Sequence, residues 1–253
     1  MFNLFPIPVP DLSGRTVLVT GAGRGIGATL VRCLVDHGAT VFAGFYGAAD
    51  MGAMAGAVTF PLDVTDADSV NAAVAQVTAF GGHLDVLVNN AGVIAPIGPL
   101  HYLPADALRP LFEVNVIGLH RMSNACLPLL IASHGTIINA GTGAATTPMQ
   151  GWTGYCASKA AARMLTQMQA MELKPLGVAS YFLGMPPTDT MMQDAVRLSG
   201  LNPISQIPQT SLVRPEVPAS VLAWLCGPQA RAVDEVLLDV RNDRFTAMMA
   251  QKA

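Results

Sequence analysis

The sequence has few charged residues: Asp, Glu, Lys and Arg make up 12% of its 253 residues, against about 25% in an average soluble protein. So few charges favour an oligomer with buried apolar faces. The alternative explanation for the low charge content is two helix layers buried against one sheet. The formal net charge is −3, without the basic excess that marks a nucleic-acid-binding protein. We therefore expect no nucleic-acid partner.

Cysteines are scarce, and long apolar runs are absent. The four cysteines are scattered, with neither a CxxC pair nor the spacing of metal ligands, so we expect no metal site and no disulfide framework. No stretch reaches the roughly 18 uninterrupted apolar residues of a membrane span. The opening MFNLFPIPVP lacks the basic start of a signal peptide. The sequence predicts a cytoplasmic protein with no membrane partner.

Short apolar runs alternate with longer helical segments along the chain. The candidate strands are Thr16–Thr20, Thr40–Gly44, Val58–Pro61, Asp85–Asn89, Thr136–Ala140, Val178–Leu183 and Val236–Val240. The candidate helices are Gly25–Asp36, Asp66–Phe80, Ala105–Ser133, Thr153–Leu173 and Pro215–Leu225. Continuously apolar strands are typical of a parallel sheet that is buried on both faces. The pattern predicts an α/β fold: a single-domain, doubly wound, Rossmann-like parallel sheet with helices on both faces, spanning residues 1–253.

Two stretches interrupt this alternation. Residues 1–11 are expected to form an N-terminal arm. Residues 186–215 carry five prolines and a Met-containing helical piece, and they stand where a lid could cover a site. We interpret them as a candidate substrate lid.

Four glycines lie within seven positions in TGAGRGIG, residues 20–27, directly after the first candidate strand. One explanation is a plain tight turn, and the other is a loop that brings bare N–H groups against a phosphate. In the second case Gly21 permits the turn, Gly25 allows close approach of the backbone, and Gly27 lets the helix pack on the sheet. The spacing differs from the G-x-G-x-x-G of other dinucleotide folds, so the glycines alone leave both explanations open.

Further motifs accompany the glycine loop in a fixed order. They are NNAG at residues 89–92, Asn115 within FEVNVIG, and the Y-x-x-x-K pair Tyr155 and Lys159. Together they resemble the short-chain dehydrogenase/reductase family over almost the whole chain. The resemblance implies a nicotinamide cofactor bound by Gly21, Arg24, Gly25, Ile26, Gly27, Asp63, Val64, Asn89, Ala91, Gly92, Tyr155, Lys159, Gly184 and Thr188, with Thr190 as the alternative to Thr188.

The resemblance also implies a catalytic set. Tyr155 and Lys159 share one helix face, and the ammonium is expected to lower the pKa of the tyrosine from ~10 by roughly 1–3 units. Tyr155 would then exchange a proton with the substrate oxygen. Thr142 stands 13 residues earlier, where the family usually has a serine, and its hydroxyl can polarise a carbonyl. Asn115 would hold a water that relays protons through Lys159.

The residues at the end of the second strand, FAGFYG, indicate which nicotinamide cofactor is preferred. Gly44 takes the position expected for an acid that binds the ribose of NAD, and Phe45 the position often taken by arginine. Arg24 could instead bind a 2′-phosphate. The sequence therefore favours NADP, with NAD possible.

These residues predict an oxidoreductase that interconverts a secondary alcohol and a ketone. The alternative is a catalytically weak or inactive dinucleotide-binding sensor or scaffold, because Thr142 and Leu183 depart from the family pattern. A halohydrin dehalogenase is disfavoured by Lys159 and the intact glycine loop. A small apolar substrate is suggested by Met149, Trp152, Met185, Met191 and Met192. The apolar helices around Asn115 and Tyr155 predict a homodimer or homotetramer.

Overall fold

A computed structural model describes residues 3–250. Residues 1–2 of the predicted arm and residues 251–253 of the predicted domain lie outside the described residues. The strands are β1 Thr16–Val19, β2 Thr40–Phe45, β3 Val58–Pro61, β4 Val86–Asn89, β5 Thr136–Thr142, β6 Ala179–Met185 and β7 Leu237–Asp239. They form one sheet in the order β3-β2-β1-β4-β5-β6-β7, and every neighbouring pair is parallel. The predicted fold class is confirmed, and the strand ends differ from prediction by one or two residues.

The α-helices lie on both faces of the sheet. They are α1 Gly25–Asp36, α2 Ala67–Ala79, α3 Arg109–Phe112, α4 Leu119–Ala132, α5 Thr153–Leu173, α6 Met192–Ser199, α7 Glu216–Leu225 and α8 Asp243–Ala250. Among residues 3–250, no helix is both long enough and apolar enough to cross a membrane.

Each central strand supplies side chains to two hydrophobic cores. Val17 and Val19 of β1 pack with residues of α1 and α7. Leu18, between them, packs with residues of α2 and α4 on the other face. Since successive strand residues point to opposite faces, a strand covered by helices on both sides must be apolar throughout. This burial explains the absence of polar alternation in the strands.

The predicted helix Ala105–Ser133 is wrong as one continuous helix. A 3-10 turn precedes α3, and a π-helical segment, Glu113–Gly118, separates α3 from α4. Asn115 lies in this segment, and its side-chain amide is bonded to both the N–H and the carbonyl of Val93. The π turn therefore occurs where the helix is hydrogen-bonded to the loop after β4. Such turns are often found at functional sites.

The arm and the candidate lid are both attached to the domain. The N–H of Ile7, whose side chain is buried, donates to Ser220 Oγ of α7 at 3.0 Å. Within residues 186–215, α6 is followed by two short 3-10 turns. Thr188 and Val213 form an isolated parallel bridge, so the two ends of this segment meet.

Candidate active site

The glycine loop and the NNAG segment follow adjacent strands. β1 pairs with β4 at the centre of the sheet, where the strand order changes direction. In open α/β sheets, ligands bind in the crevice at this switch point, beyond the carboxyl ends of the strands. The fold therefore brings these two segments to one crevice.

The loop glycines leave no room for side chains. A Cβ at Gly21, whose φ is +62°, would lie 2.7 Å from Ala91 Cα, and a Cβ at Gly27 would overlap the carbonyl oxygen of Gly21. Arg24 is the N-cap of α1 but makes no side-chain capping bond. The first N–H groups of this 12-residue helix thus lack a side-chain acceptor and carry the positive end of the helix dipole. This bare cradle fits the pyrophosphate of a dinucleotide.

Two residues absent from our sequence predictions hold the loop to the NNAG segment. Thr20 Oγ1 accepts hydrogen bonds from the N–H groups of Asn90 and Ala91 at 3.1 and 3.0 Å. Asn90 Nδ2 donates to the carbonyl oxygens of Thr20 and Gly21. Only the NNAG motif itself pointed to Asn90, and nothing local marked the threonine. The hydrogen bonds of both residues join segments that are about seventy residues apart in the sequence.

The predicted catalytic residues meet at the ends of β4 and β5 and the start of α5. Lys159 Nζ donates to the Ala140 carbonyl at 2.9 Å and lies 6.0 Å from the centre of the Tyr155 ring. Both side chains are more than nine-tenths buried. Asn115 Nδ2 donates to Ser158 Oγ at 3.0 Å, which adds Ser158 as a further residue that sequence reasoning missed.

Gly92 joins this group through its bare backbone. A Cβ at Gly92 would lie 3.4 Å from Asn115 Oδ1 and 3.6 Å from Lys159 Nζ. The NNAG segment therefore passes directly over the asparagine and the lysine.

Burial dominates the electrostatics of the tyrosine and the lysine. It raises the pKa of Tyr155 to about 12, although the Thr142 hydroxyl beside the phenol opposes this shift. It also lowers the pKa of Lys159 to about 8. The prediction that the ammonium lowers the tyrosine pKa is wrong in this structure. Desolvation of the phenolate dominates the shift, and the ammonium donates to the Ala140 carbonyl and not to the phenol.

Thr142 is the last residue of β5 and is partly buried. Its Oγ1 accepts a long hydrogen bond, 3.3 Å, from the N–H of Ala144, which leaves the hydroxyl proton available to another acceptor. Leu183, the other departure from the family pattern, is fully buried and pairs in register with Ala140. The same ladder aligns Thr142 with Met185.

The last two residues of β2 face opposite sides of the sheet. A Cβ at Gly44 would collide with the side chain of Leu62 in the core, so position 44 faces α2 and not the loop. The next residue, Phe45, faces the glycine loop: its Cβ would lie 3.1 Å from a Cβ at Gly23. Strand alternation decides this one-residue difference.

Two charged residues adjoin this end of the loop. Arg24 is exposed, and its guanidinium makes no hydrogen bond or ion pair within residues 3–250. Asp50, which our sequence predictions did not include, donates its N–H to the Gly23 carbonyl at 2.8 Å. Its carboxylate accepts from the N–H of Ala53 in the following turn.

The other predicted cofactor contacts are placed as follows. Asp63 Oδ1 accepts from the N–H and hydroxyl of Thr65, and the carbonyl of buried Val64 accepts from Arg121. Asn89 is buried, and its Nδ2 donates to Ser123 and Asn139, so its side chain belongs to a polar network inside the domain.

The end of β6 contributes a glycine, Gly184, and the segment after it contributes two threonines. Gly184 is explained by packing, since a Cβ there would lie 2.7 Å from Asp239 Oδ2 of β7. The buried Thr188 donates its hydroxyl proton to the Pro186 carbonyl. Thr190 Cγ2 would lie 3.2 Å from a Cβ at Gly25, so Thr190 is the threonine that borders the glycine loop.

An apolar cluster encloses Tyr155. Its buried members are Ile94, Leu111, Ala144, Trp152, Tyr155 and Val196, and Met149 and Met192 pack against it. Met185 packs instead on the core beneath α1 and α7, and Met191 is exposed. Of the five residues predicted to flank the substrate, three therefore belong to this cluster.

Comparison with known proteins gives a consistent assignment. The family model for short chain dehydrogenases matches residues 15–199. The 3-oxoacyl-[acyl-carrier-protein] reductase FabG of Vibrio harveyi is 30% identical over 250 residues, covering 93% of this chain and 99% of that protein. L-fucose dehydrogenase of Oryctolagus cuniculus is 36% identical over 170 residues, which cover 66% of this chain and 60% of that protein.

A solved structure agrees along most of the chain. The 3-ketoacyl-(acyl-carrier-protein) reductase from Brucella melitensis, complexed with NADH, superposes with a TM-score of 0.81 at 25% sequence identity, covering 92% of this chain and 99% of that one. The model match spans well over half of this chain and includes the glycine loop and the Tyr155–Lys159 pair. The chain belongs to the short-chain dehydrogenase family.

Proposed function

We propose that this protein is an NAD(P)-dependent oxidoreductase that interconverts a secondary alcohol and a ketone, with Tyr155 as the acid/base. The observation that carries the proposal is the convergence of Tyr155, Thr142 and Lys159 next to Gly92 of the NNAG segment, which in turn packs against the bare glycine loop. Two relatives support this reaction class, since their names describe a 3-oxoacyl reductase and a sugar dehydrogenase.

The loop glycines and the N-terminus of α1 would hold the pyrophosphate, and Lys159 would face the nicotinamide end. The bound nicotinamide supplies or accepts the hydride. In ketone reduction, Tyr155 Oη donates a proton to the carbonyl oxygen, and the Thr142 hydroxyl donates a hydrogen bond to the same oxygen. Burial raises the pKa of Tyr155, so the phenol stays protonated at neutral pH, as a proton donor requires.

Lys159 and Asn115 would organise the proton path. Both Nδ2 protons of Asn115 are engaged, by Val93 and Ser158. A relay water would therefore bind the second lone pair of Oδ1, the atom closest to the bare face of Gly92. Lys159, whose pKa is lowered by burial to about 8, could exchange a proton near neutral pH.

The proposed cofactor is NADP, with NAD as the second choice. The support is the exposed guanidinium of Arg24 at the start of α1 and the absence of an acid at Phe45, the strand residue that faces the loop. A guanidinium can bind a 2′-phosphate through two hydrogen bonds. Asp50 is the nearby carboxylate that would disfavour this phosphate, but it is turned toward the N–H of Ala53.

The inactive alternative gains no support from the two departures that suggested it. Leu183 pairs with Ala140 in the regular ladder between β5 and β6. Thr142 places its hydroxyl beside the phenol of Tyr155. Neither departure removes a group that the reaction needs.

We also propose a homodimer or homotetramer in the cytoplasm with an apolar substrate. Four large apolar side chains on these helices are exposed: Met164, Met168 and Met171 of α5 and Ile117 of the π segment. Buried free thiols at Cys126 and Cys226 suit a reducing compartment. Light scattering should give a multiple of 26.4 kDa, and a monomer at micromolar concentration would contradict the assembly.

Tyr155→Phe tests the function. The variant should lose turnover of all ketones in a panel assayed with NADPH and NADH, while cofactor binding is retained, because only the proton-transferring hydroxyl is removed. Tyr102→Phe, at an exposed tyrosine, is the matched control and should keep full activity. A Tyr155→Phe variant with a tenth of the wild-type rate would refute the assignment.

A further inference from the structure

Trp152 is a buried tryptophan three positions before Tyr155. It is the N-cap of α5, and its indole lies edge-on to the Tyr155 ring with the ring centres 5.6 Å apart. The side chain is 5% exposed. Its Nε1 is buried and finds no acceptor among the protein atoms of residues 3–250.

A buried N–H without a partner is costly, and native proteins rarely leave one. The cluster around Trp152 is otherwise apolar, with Ile94, Leu111 and Val196 among its buried members. Tyr155 and Trp152 are the buried members of this cluster whose side chains carry a polar N–H or O–H group. The Thr142 hydroxyl lies beside the phenol, whereas the indole N–H has no such partner.

The candidate lid packs against the turn that carries Trp152. Gly151, with φ +81°, makes the turn before α5, and a Cβ there would lie 2.7 Å from Leu201 Cδ1 of the candidate lid. Asn202 Nδ2 donates to the Gln150 carbonyl at 3.0 Å. Val196 of α6 completes the cluster from the same segment. The lid thus closes directly onto the turn that carries Trp152.

We propose that the N–H of Trp152 binds a second oxygen of the substrate, so that the preferred substrates are apolar ketones carrying an additional carbonyl, ether or hydroxyl oxygen near the reacting carbon. The inference rests on the proposed function and specifies its substrate class. A site built to hydrogen-bond a substrate group discriminates strongly against analogues that lack it, because the buried protein group is then left unpaired.

Matched ketones test this role. 2-Methoxycyclohexanone and 3-methoxycyclohexanone have nearly the same shape as 2-ethylcyclohexanone and 3-ethylcyclohexanone but carry an acceptor oxygen. Trp152→Phe keeps an aromatic ring against Tyr155 and removes the N–H. We expect kcat/KM to fall about 10-fold or more for at least one methoxy ketone and to stay nearly unchanged for the ethyl ketones. Equal changes for both kinds of ketone would overturn the proposal.

A binding measurement makes the test independent of turnover. Trp224→Phe leaves Trp152 as the single tryptophan. With cofactor bound, a methoxy ketone should shift the emission of Trp152 to longer wavelength, and the matching ethyl ketone should not. The same shift with both would overturn the role of the N–H. If no ketone is reduced by wild-type protein, the proposed function fails, whereas reduction without discrimination refutes the Trp152 proposal alone.

Discussion

Replacing Thr20 by valine should both destabilise the protein and weaken cofactor binding. Thr20 is 1% exposed, and its hydroxyl oxygen accepts from the N–H groups of Asn90 and Ala91. Valine keeps the shape and removes the acceptor. The N–H of Ala91 then loses its partner, whereas the N–H of Asn90 still donates to the Val88 carbonyl at 3.1 Å. One unpaired group costs about 1–3 kcal/mol.

A loss near 2 kcal/mol lowers the melting temperature by about 4–8 °C in a chain of this size. Thermal unfolding followed by circular dichroism at one protein concentration measures it. Fluorescence titration with NADPH should show weaker binding, because the hydroxyl also fixes Ala91 against Gly21.

Thr20→Ser is the matched control. It keeps the hydroxyl and loses one methyl group, which costs about 1 kcal/mol, so part of the lost stability and most of the cofactor affinity should return. A Thr20→Val protein that melts within 1 °C of wild type, taking ~1 °C as well under 1 kcal/mol, would refute the reasoning.

Three further predictions follow from the site. Thr142→Val should lower kcat by about 10²–10³ and Thr142→Ser should retain activity; an active valine variant would show that position 142 only shapes the pocket. Arg24→Ala should weaken NADP binding more than NAD binding, and equal losses of affinity for both cofactors would contradict this role. Phe45→Asp should shift the cofactor preference to NAD. Burial lowers the pKa of Lys159 from 10.5 to about 8, so between these values the unfolded chain binds more protons and stability rises with pH. In denaturant titrations, the free energy of unfolding of wild type, measured relative to that of Lys159→Met, should rise by about 3 kcal/mol between pH 7 and pH 10.5. If this difference in the free energy of unfolding stays constant with pH, Lys159 is not a buried ammonium.

Much of the molecule was predictable from contiguous residues. Strands without polar alternation indicated a parallel sheet. The sequence did not predict the π segment within Ala105–Ser133 or the helix α8. The positive φ values of Gly21 and Gly25 agree with the glycine cluster, since only glycine adopts them readily. The i, i+4 spacing of Tyr155 and Lys159 placed both on one helix face.

The fold class, the loop at the start of α1 and the residue types of the candidate site therefore follow from the sequence alone. These depend on local periodicity and backbone preference. Three features are visible only in the folded chain: Thr20 joins β1 to the NNAG segment, position 45 rather than 44 faces the loop, and Trp152 lies against Tyr155. The fold also sets the pKa values of Tyr155 and Lys159. Burial and hydrogen-bond partners are set by residues distant in sequence, and desolvation exists only once the chain has folded around a group.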